Sequence, residues 1–201
     1  MAISSGSDDP IRNFSTKEEE ILTRNLLKLT QAINNPIVLS FEYNSKFVCN
    51  LHYELFNGVR DHAGKCRNKD YGEEFLVFGP NRSVAAGDVP DRLQEHFDVT
   101  RKLFDQLDSF QKNIQFIQEV IKVSAYIHAE LIRIHPFRDG NGRVSRLVMN
   151  YILRKYNLPL LPMNVPKQEY IDTLNHYYKT KDIEPLCELL IRVYYNQLLG
   201  N

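Results

Sequence analysis

The chain has 201 residues, 43% apolar and 25% charged, which is enough for one domain with a full hydrophobic core. Lys plus Arg and Asp plus Glu each number 25, so the formal net charge is zero. That balance excludes nucleic-acid binding through a basic excess, and no run of about 18 apolar residues is present to cross a membrane.

Met1 to Pro10 has neither the basic start nor the apolar core of a secretory leader. The expected location is cytoplasmic, with export as an effector left open. Residues 1–15 read as a disordered tail. Acids in the first turn open a helix at Thr16, which runs to about Ala32 until Asn34-Asn35-Pro36 stops it. Residues 16–50 form an N-terminal helical extension, and a second helix is expected from about Asn50 to Val59. Cys49, Cys66 and Cys187 fit no zinc spacing, and an odd, sparse set is a poor disulfide framework, so they read as ordinary thiols in a reducing compartment.

Phe75-Leu76-Val77-Phe78, the turn cluster Gly79-Pro80-Asn81-Arg82 and Ser83-Val84-Ala85-Ala86 together predict a β-hairpin. A helix follows from about Pro90 to Leu107. The longest periodic stretch comes next, with Ile114, Ile117, Ile121, Ser124, His128 and Leu131 at helical spacing and Phe116, Val120 and Ile127 widening the stripe. A stripe this wide predicts a central helix packed on more than one side. It ends before Pro136, which places His135 at or just beyond the helix end. Val144, Leu147, Val148, Tyr151 and Ile152 mark another helix after Gly142, ended by Asn157-Leu158-Pro159. The last two helices span about Lys167–Tyr178 and Ile183–Leu198. The fold class is mainly α, with a helix–loop–helix at its centre and a small hairpin.

The chemistry concentrates in His135-Pro136-Phe137-Arg138-Asp139-Gly140-Asn141-Gly142-Arg143-Val144-Ser145-Arg146. Glycines at a helix start expose consecutive N–H groups as an anion nest, aided by the helix dipole. Arg143 and Arg146 lie three apart on that helix, so they share an edge and suit a polyphosphate. Asp139 offers a hard oxygen ligand of the kind Mg²⁺ takes beside phosphate. His135 supplies a base that a nearby helix N-terminus should keep neutral. Each residue alone has an ordinary structural reading as a turn, a cap or a solvated arginine. Their density points to phosphoryl or nucleotidyl transfer.

This stretch resembles the signature of the Fic family, His-Pro-Phe-x-Asp/Glu-Gly-Asn-Gly-Arg-x-x-Arg, at every fixed position. Val59 to Arg67, Tyr170 to Leu174 and Asp182 to Leu186 resemble the family more loosely. The resemblance implies a Fic domain over 51–198, with a flap at about 73–86 and an active-site loop at 135–143. It also implies a protein adenylyltransferase that takes ATP as co-substrate and Mg²⁺ as cofactor. His135 would be the general base, Asp139 would hold Mg²⁺, and Gly140, Asn141, Gly142, Arg143 and Arg146 would bind the phosphates, Asn141 near the α-phosphate. Tyr170, Tyr177 and Tyr178 fall where relatives contact the base, and helix packing explains them at least as well. His128 reads as structural. The flap residues Phe75, Leu76, Val77 and Phe78 would dock a segment of a protein substrate as an added strand. Gly142 fits the AMP-transferring orientation, while transfer of UMP, GMP or phosphate, or a silent binding module, stand as alternatives. The inhibitory motif Ser/Thr-x-x-x-Glu-Gly/Asn is incomplete at both Ser15–Glu20 and Thr180–Pro185. That departure leaves the enzyme freely active or restrained by a small antitoxin-like inhibitor. A homodimer is compatible with the sequence.

Overall fold

The computed structural model describes residues 14–35, 40–161 and 165–199. The expected tail lies outside them except for Phe14 and Ser15, which are built into the fold. Helix α1, Thr16–Ala32, starts on a capping box. The Glu18 N–H donates to Ser15 Oγ (3.3 Å), and the Ser15 N–H donates to Glu18 Oε2 (2.8 Å). Helix α2 is Ser45–Phe56, so it begins more than a turn before the predicted start, and the boundary drawn at residue 50 cuts through it. Its cap is Asn44, whose Oδ1 accepts from the Phe47 N–H at 3.0 Å.

The hairpin is shorter than predicted. Strands β1, Val77–Phe78, and β2, Asn81–Arg82, pair antiparallel with Val77 opposite Arg82 and Phe78 opposite Asn81. The strands therefore close inside the expected turn cluster. Gly79, at φ 56, stands at the first central position of a two-residue turn, where hairpins of the II′ type require glycine. Phe75, Leu76 and Ser83–Ala86 flank the ladder, held by Ser83 N–H to Leu76 O and Ala86 N–H to Glu74 O, both 2.8 Å.

A short 3₁₀ turn, Ala86–Asp88, feeds α3, Val89–Ser109, with Pro90 in the first turn where its missing N–H costs nothing. Helix α4, Ile114–Ile134, is the central helix that the wide stripe predicts. It packs against α3, against α5 (Asn141–Lys155), and against α6 (Lys167–Thr180) and α7 (Glu184–Leu199). Helix α2 bridges α1, α3 and α5. The α4–loop–α5 unit is thus clamped from every side, and the loop between them is interior rather than surface. No described helix is long and apolar enough to cross a membrane.

Candidate active site

Helix α4 ends one residue before His135, which sits at φ 55, ψ 59. A non-glycine residue in this left-handed region carries a cost of about 1–3 kcal/mol, so the surroundings must impose it. Three hydrogen bonds do so. The His135 N–H donates to Leu131 O (3.0 Å), Arg67 Nε donates to His135 O (2.9 Å), and the Arg67 N–H donates to Pro136 O (2.7 Å). Arg67 is fully buried, and its guanidinium also donates to Glu73 O, Ser83 Oγ and Val84 O at 3.0–3.1 Å. One side chain thereby fastens the His135 turn to both flanks of the hairpin.

The strained turn aims the imidazole. Its Nδ1 lies 3.1 Å from Ile132 O, an atom that can only accept, so the proton sits on Nδ1 and Nε2 is the accepting nitrogen. Phe78 of β1 stacks on the ring at 4.6 Å and 8°. Burial lowers the His135 pKa to about 4, opposed by the Ile132 bond and aided by the charge of Arg67. The imidazole is neutral as expected, but the dominant cause is desolvation, not a helix N-terminus.

The rest of the loop is equally constrained. Phe137 is fully buried and stacks on His52 at 3.9 Å and 12°. His52 accepts the Gly64 N–H at Nδ1 (2.8 Å) and donates from Nε2 to Asp139 O (3.1 Å). Burial holds its pKa at about 3, so it works as a neutral bridge. The Asn141 side chain accepts from the Phe137 N–H (2.9 Å) and donates to Phe137 O (2.8 Å). It clasps the loop, so the side chain is engaged within the protein. Gly140 has φ 78, and a Cβ there would lie 2.1 Å from Phe56 Cε2, so only glycine fits. The first i→i−4 bond of α5 is Val144 N–H to Gly140 O at 3.0 Å. The N–H groups of Asn141, Gly142 and Arg143 precede it and form the anion nest.

Charge gathers at the same end. Asp139 is 2% exposed, and its Oδ2 is buried with no hydrogen bond, 3.8 Å from Arg60 Nε. Arg143 Nη1 is likewise buried without a hydrogen bond. Arg60 lies over the Phe14 ring at 4.3 Å and Arg143 over the same ring at 5.4 Å. Arg60 also donates to Glu18 Oε1 at 2.7 Å. Arg146 lies one turn further along α5 and is buried. Buried polar atoms without a hydrogen bond are rare, and such a carboxylate oxygen and such a guanidinium nitrogen at one end of α5 suit a cation bound with an anion. Among the described residues no group of three or more His, Cys, Asp or Glu could hold a metal alone. A single carboxylate does fit Mg²⁺ that completes its shell with phosphate and water.

The three tyrosines separate. The Tyr170 hydroxyl shares a 2.6 Å hydrogen bond with His128 Nε2, and the Tyr177 hydroxyl donates to Glu130 Oε1 at 2.7 Å. Both belong to the packing of α6 on α4. Tyr178 meets Phe78 edge-on at 6.1 Å and so adjoins the flap. Within the flap, Val77 is 67% exposed while Phe78 is buried against His135. Phe75 lies under the Arg82 guanidinium at 3.4 Å, and Leu76 is half-buried. The motif reading assigned no role to Arg67, His52 or Arg60. A buried arginine or a histidine on an apolar helix face carries no periodic signal that would mark it.

The Fic/DOC family model matches residues 42–153, more than half of the chain. The chain belongs to the Fic/DOC family. It is 49% identical over 137 residues to a protein adenylyltransferase Fic of Drosophila persimilis, a match covering 68% of this chain and 24% of that protein. The chain thus spans about a quarter of the length of that curated relative. The N-terminal Fic domain of Bep8 protein from Bartonella sp. 1-1C superposes with a TM-score of 0.69 over 96% of this chain and 95% of that one, at 17% identity. BepC protein of Bartonella tribocorum, solved with bound AMPPNP, gives a TM-score of 0.69 over 88% and 86% at 15% identity. At these identities the likeness establishes a shared Fic fold.

Proposed function

We propose that this Fic domain transfers AMP from ATP to a Tyr, Thr or Ser hydroxyl of a target protein and releases pyrophosphate. One observation carries the reading. A buried neutral imidazole, its Nδ1 proton donated to Ile132 O, presents Nε2 in the loop that also carries Asp139 and leads into the N-terminus of α5. His135 Nε2 takes the proton of the target hydroxyl, whose oxygen attacks the α-phosphate. The Gly140–Arg143 turn and Arg146 hold the phosphates and offset the charge that builds on pyrophosphate as it leaves. Mg²⁺ held by Asp139 would neutralise phosphate charge when bound. The open edge of the Val77–Phe78 strand receives the target segment through main-chain hydrogen bonds, which fixes the hydroxyl while asking little of its sequence. Tyr178 stands closest to that edge of the three tyrosines and takes the adenine-side role among them.

The relatives named protein adenylyltransferase support AMP as the group transferred, and the neighbour solved with AMPPNP supports an adenine nucleotide as its donor. The reading extends to a cytoplasmic reaction that is either freely active or restrained by a separate small inhibitor protein. A strong gain of activity on Glu19→Ala would instead assign restraint to α1.

Labelled ATP, offered with a cell extract as target, should label protein, and His135→Ala should reduce labelling by at least about 10²-fold. Equal labelling by both forms refutes the assignment, and the mass added to the target identifies the group transferred.

A further inference from the structure

The segment that brings Arg67 to the catalytic turn is pinned at two points. The Gly64 N–H bonds His52, and the Arg67 N–H bonds Pro136. Between these points lies Cys66, and its Sγ is 3.1 Å from Sγ of Cys49 on α2. Both thiols are half-buried, so small reagents reach them, whereas Cys187 is buried. The backbones approach closely as well, since a Cβ on Gly64 would stand 3.3 Å from Cys49 O. Bond formation asks the two sulphurs to close by about 1 Å, to the usual disulfide length of about 2.05 Å.

We propose that Cys49 and Cys66 are a redox-active dithiol that a small-molecule disulfide, glutathione disulfide in chemical class, oxidises to an intramolecular disulfide clamping the Arg67 segment to α2. The Cys66 S–H donates to the Cys49 sulphur and lowers the Cys49 pKa to about 7, which makes Cys49 the attacking group. The Cys49 thiolate attacks one sulphur of the oxidant, and the S–S bond between the two glutathiones breaks as one leaves as thiolate. Deprotonated Cys66 then attacks Cys49 Sγ and expels the second glutathione. Two protein thiols lose two electrons and two protons, and one glutathione disulfide becomes two glutathiones.

The test uses the intact, native protein and needs no transferase activity, so its failure leaves the proposed function untouched. Incubation with excess glutathione disulfide, blocking with N-ethylmaleimide and mass spectrometry should show loss of two hydrogens, with one alkylatable thiol left after unfolding. Digestion should give a reducible cross-link of the Cys49 and Cys66 peptides that dithiothreitol releases. The closed loop should raise the melting temperature by roughly 5–10 °C. Cys187→Ser should retain all of this, and Cys66→Ser should instead trap a stable glutathione adduct on Cys49. Three alkylatable thiols after treatment, or a persistent single glutathione adduct on the wild-type protein, overturns the proposal.

Discussion

The His135–Asn141 loop and the hairpin beside it are built on opposite plans. From His135 to Asn141 almost every polar group is buried and paired, and the backbone is held twice at φ above zero, at His135 and Gly140. The hairpin has two residues per strand, an exposed Val77 and a solvent-facing turn. A buried loop must satisfy each of its polar groups inside the protein, so its backbone is over-determined. A surface that accepts an added strand needs open backbone groups instead. Arg67 joins the two plans, because its donors end on His135 O in the loop and on Ser83 and Val84 in the hairpin.

The contrast can be broken most forcefully at that joint. Arg67→Met removes the donors to His135, Glu73, Ser83 and Val84 together and leaves two acceptors buried and two part-buried. Unfolding in urea should show a loss of about 3–5 kcal/mol, and Arg67→Lys, which keeps the charge but not the fork, should recover less than half.

Gly140→Ala tests the loop alone. With φ 78 and Phe56 Cε2 2.1 Å from the new methyl, it should cost about 2–3 kcal/mol. Adding Phe56→Leu should return part of the loss by relieving the clash while the positive φ remains unfavourable. Full recovery in the double variant would mean that sterics alone select glycine there.

Acid should sharpen the comparison next. His52 and His128 are held at about 3, and His96 and His135 at about 4, chiefly by burial. Unfolded imidazoles titrate near about 6.5, so below that pH the unfolded chain binds more protons than the folded one. The contribution is fully present above pH of about 6.5 and is lost as pH falls toward the folded values. Denaturant midpoints should therefore drop between pH 6.5 and 4, by on the order of 1 kcal/mol per pH unit for each imidazole still neutral. None of these groups lies in the hairpin ladder. The protection factors of the Val77–Arg82 amides, with the intrinsic pH dependence of exchange removed, should consequently track local opening and stay nearly constant over the start of that range.

The smallest effect is expected at the hairpin tip. Asn81 Nδ2 donates to Asn175 Oδ1 of α6 at 2.5 Å, the tip's tie to the helical body. Asn81→Ala should lower global stability by no more than about 1 kcal/mol while measurably speeding exchange of the hairpin amides. A larger global loss would show the hairpin to be part of the core rather than an appendage.

Much of this architecture was legible from local pattern. The bounds of α1 followed from its acidic first turn, and α4 and α5 from wide periodic stripes. The start of α2 escaped because its signal is one asparagine cap, Asn44, ahead of a short helix. The hairpin strands were misplaced because a Gly-Pro pair turns the chain in two residues, so Asn81 and Arg82 are ladder and not loop. The candidate site was read as a motif, and its members from His135 to Arg146 lie along one loop and the first turns of α5. The tyrosines were not separable by spacing, since Tyr170, Tyr177 and Tyr178 differ only in which buried partner each hydroxyl or ring meets.

The sequence by itself determined the helical class, the helix–loop–helix and the residue types of the Fic motif, because periodicity, caps and glycines act over a few residues. Only the tertiary structure decided what those residues are held by: His52 under Phe137, Arg67 behind His135, and Cys49 against Cys66. Those contacts join segments far apart in the chain. They exist because burial makes an unpaired polar group costly, so partners are chosen by proximity in the folded interior and not by spacing along the chain.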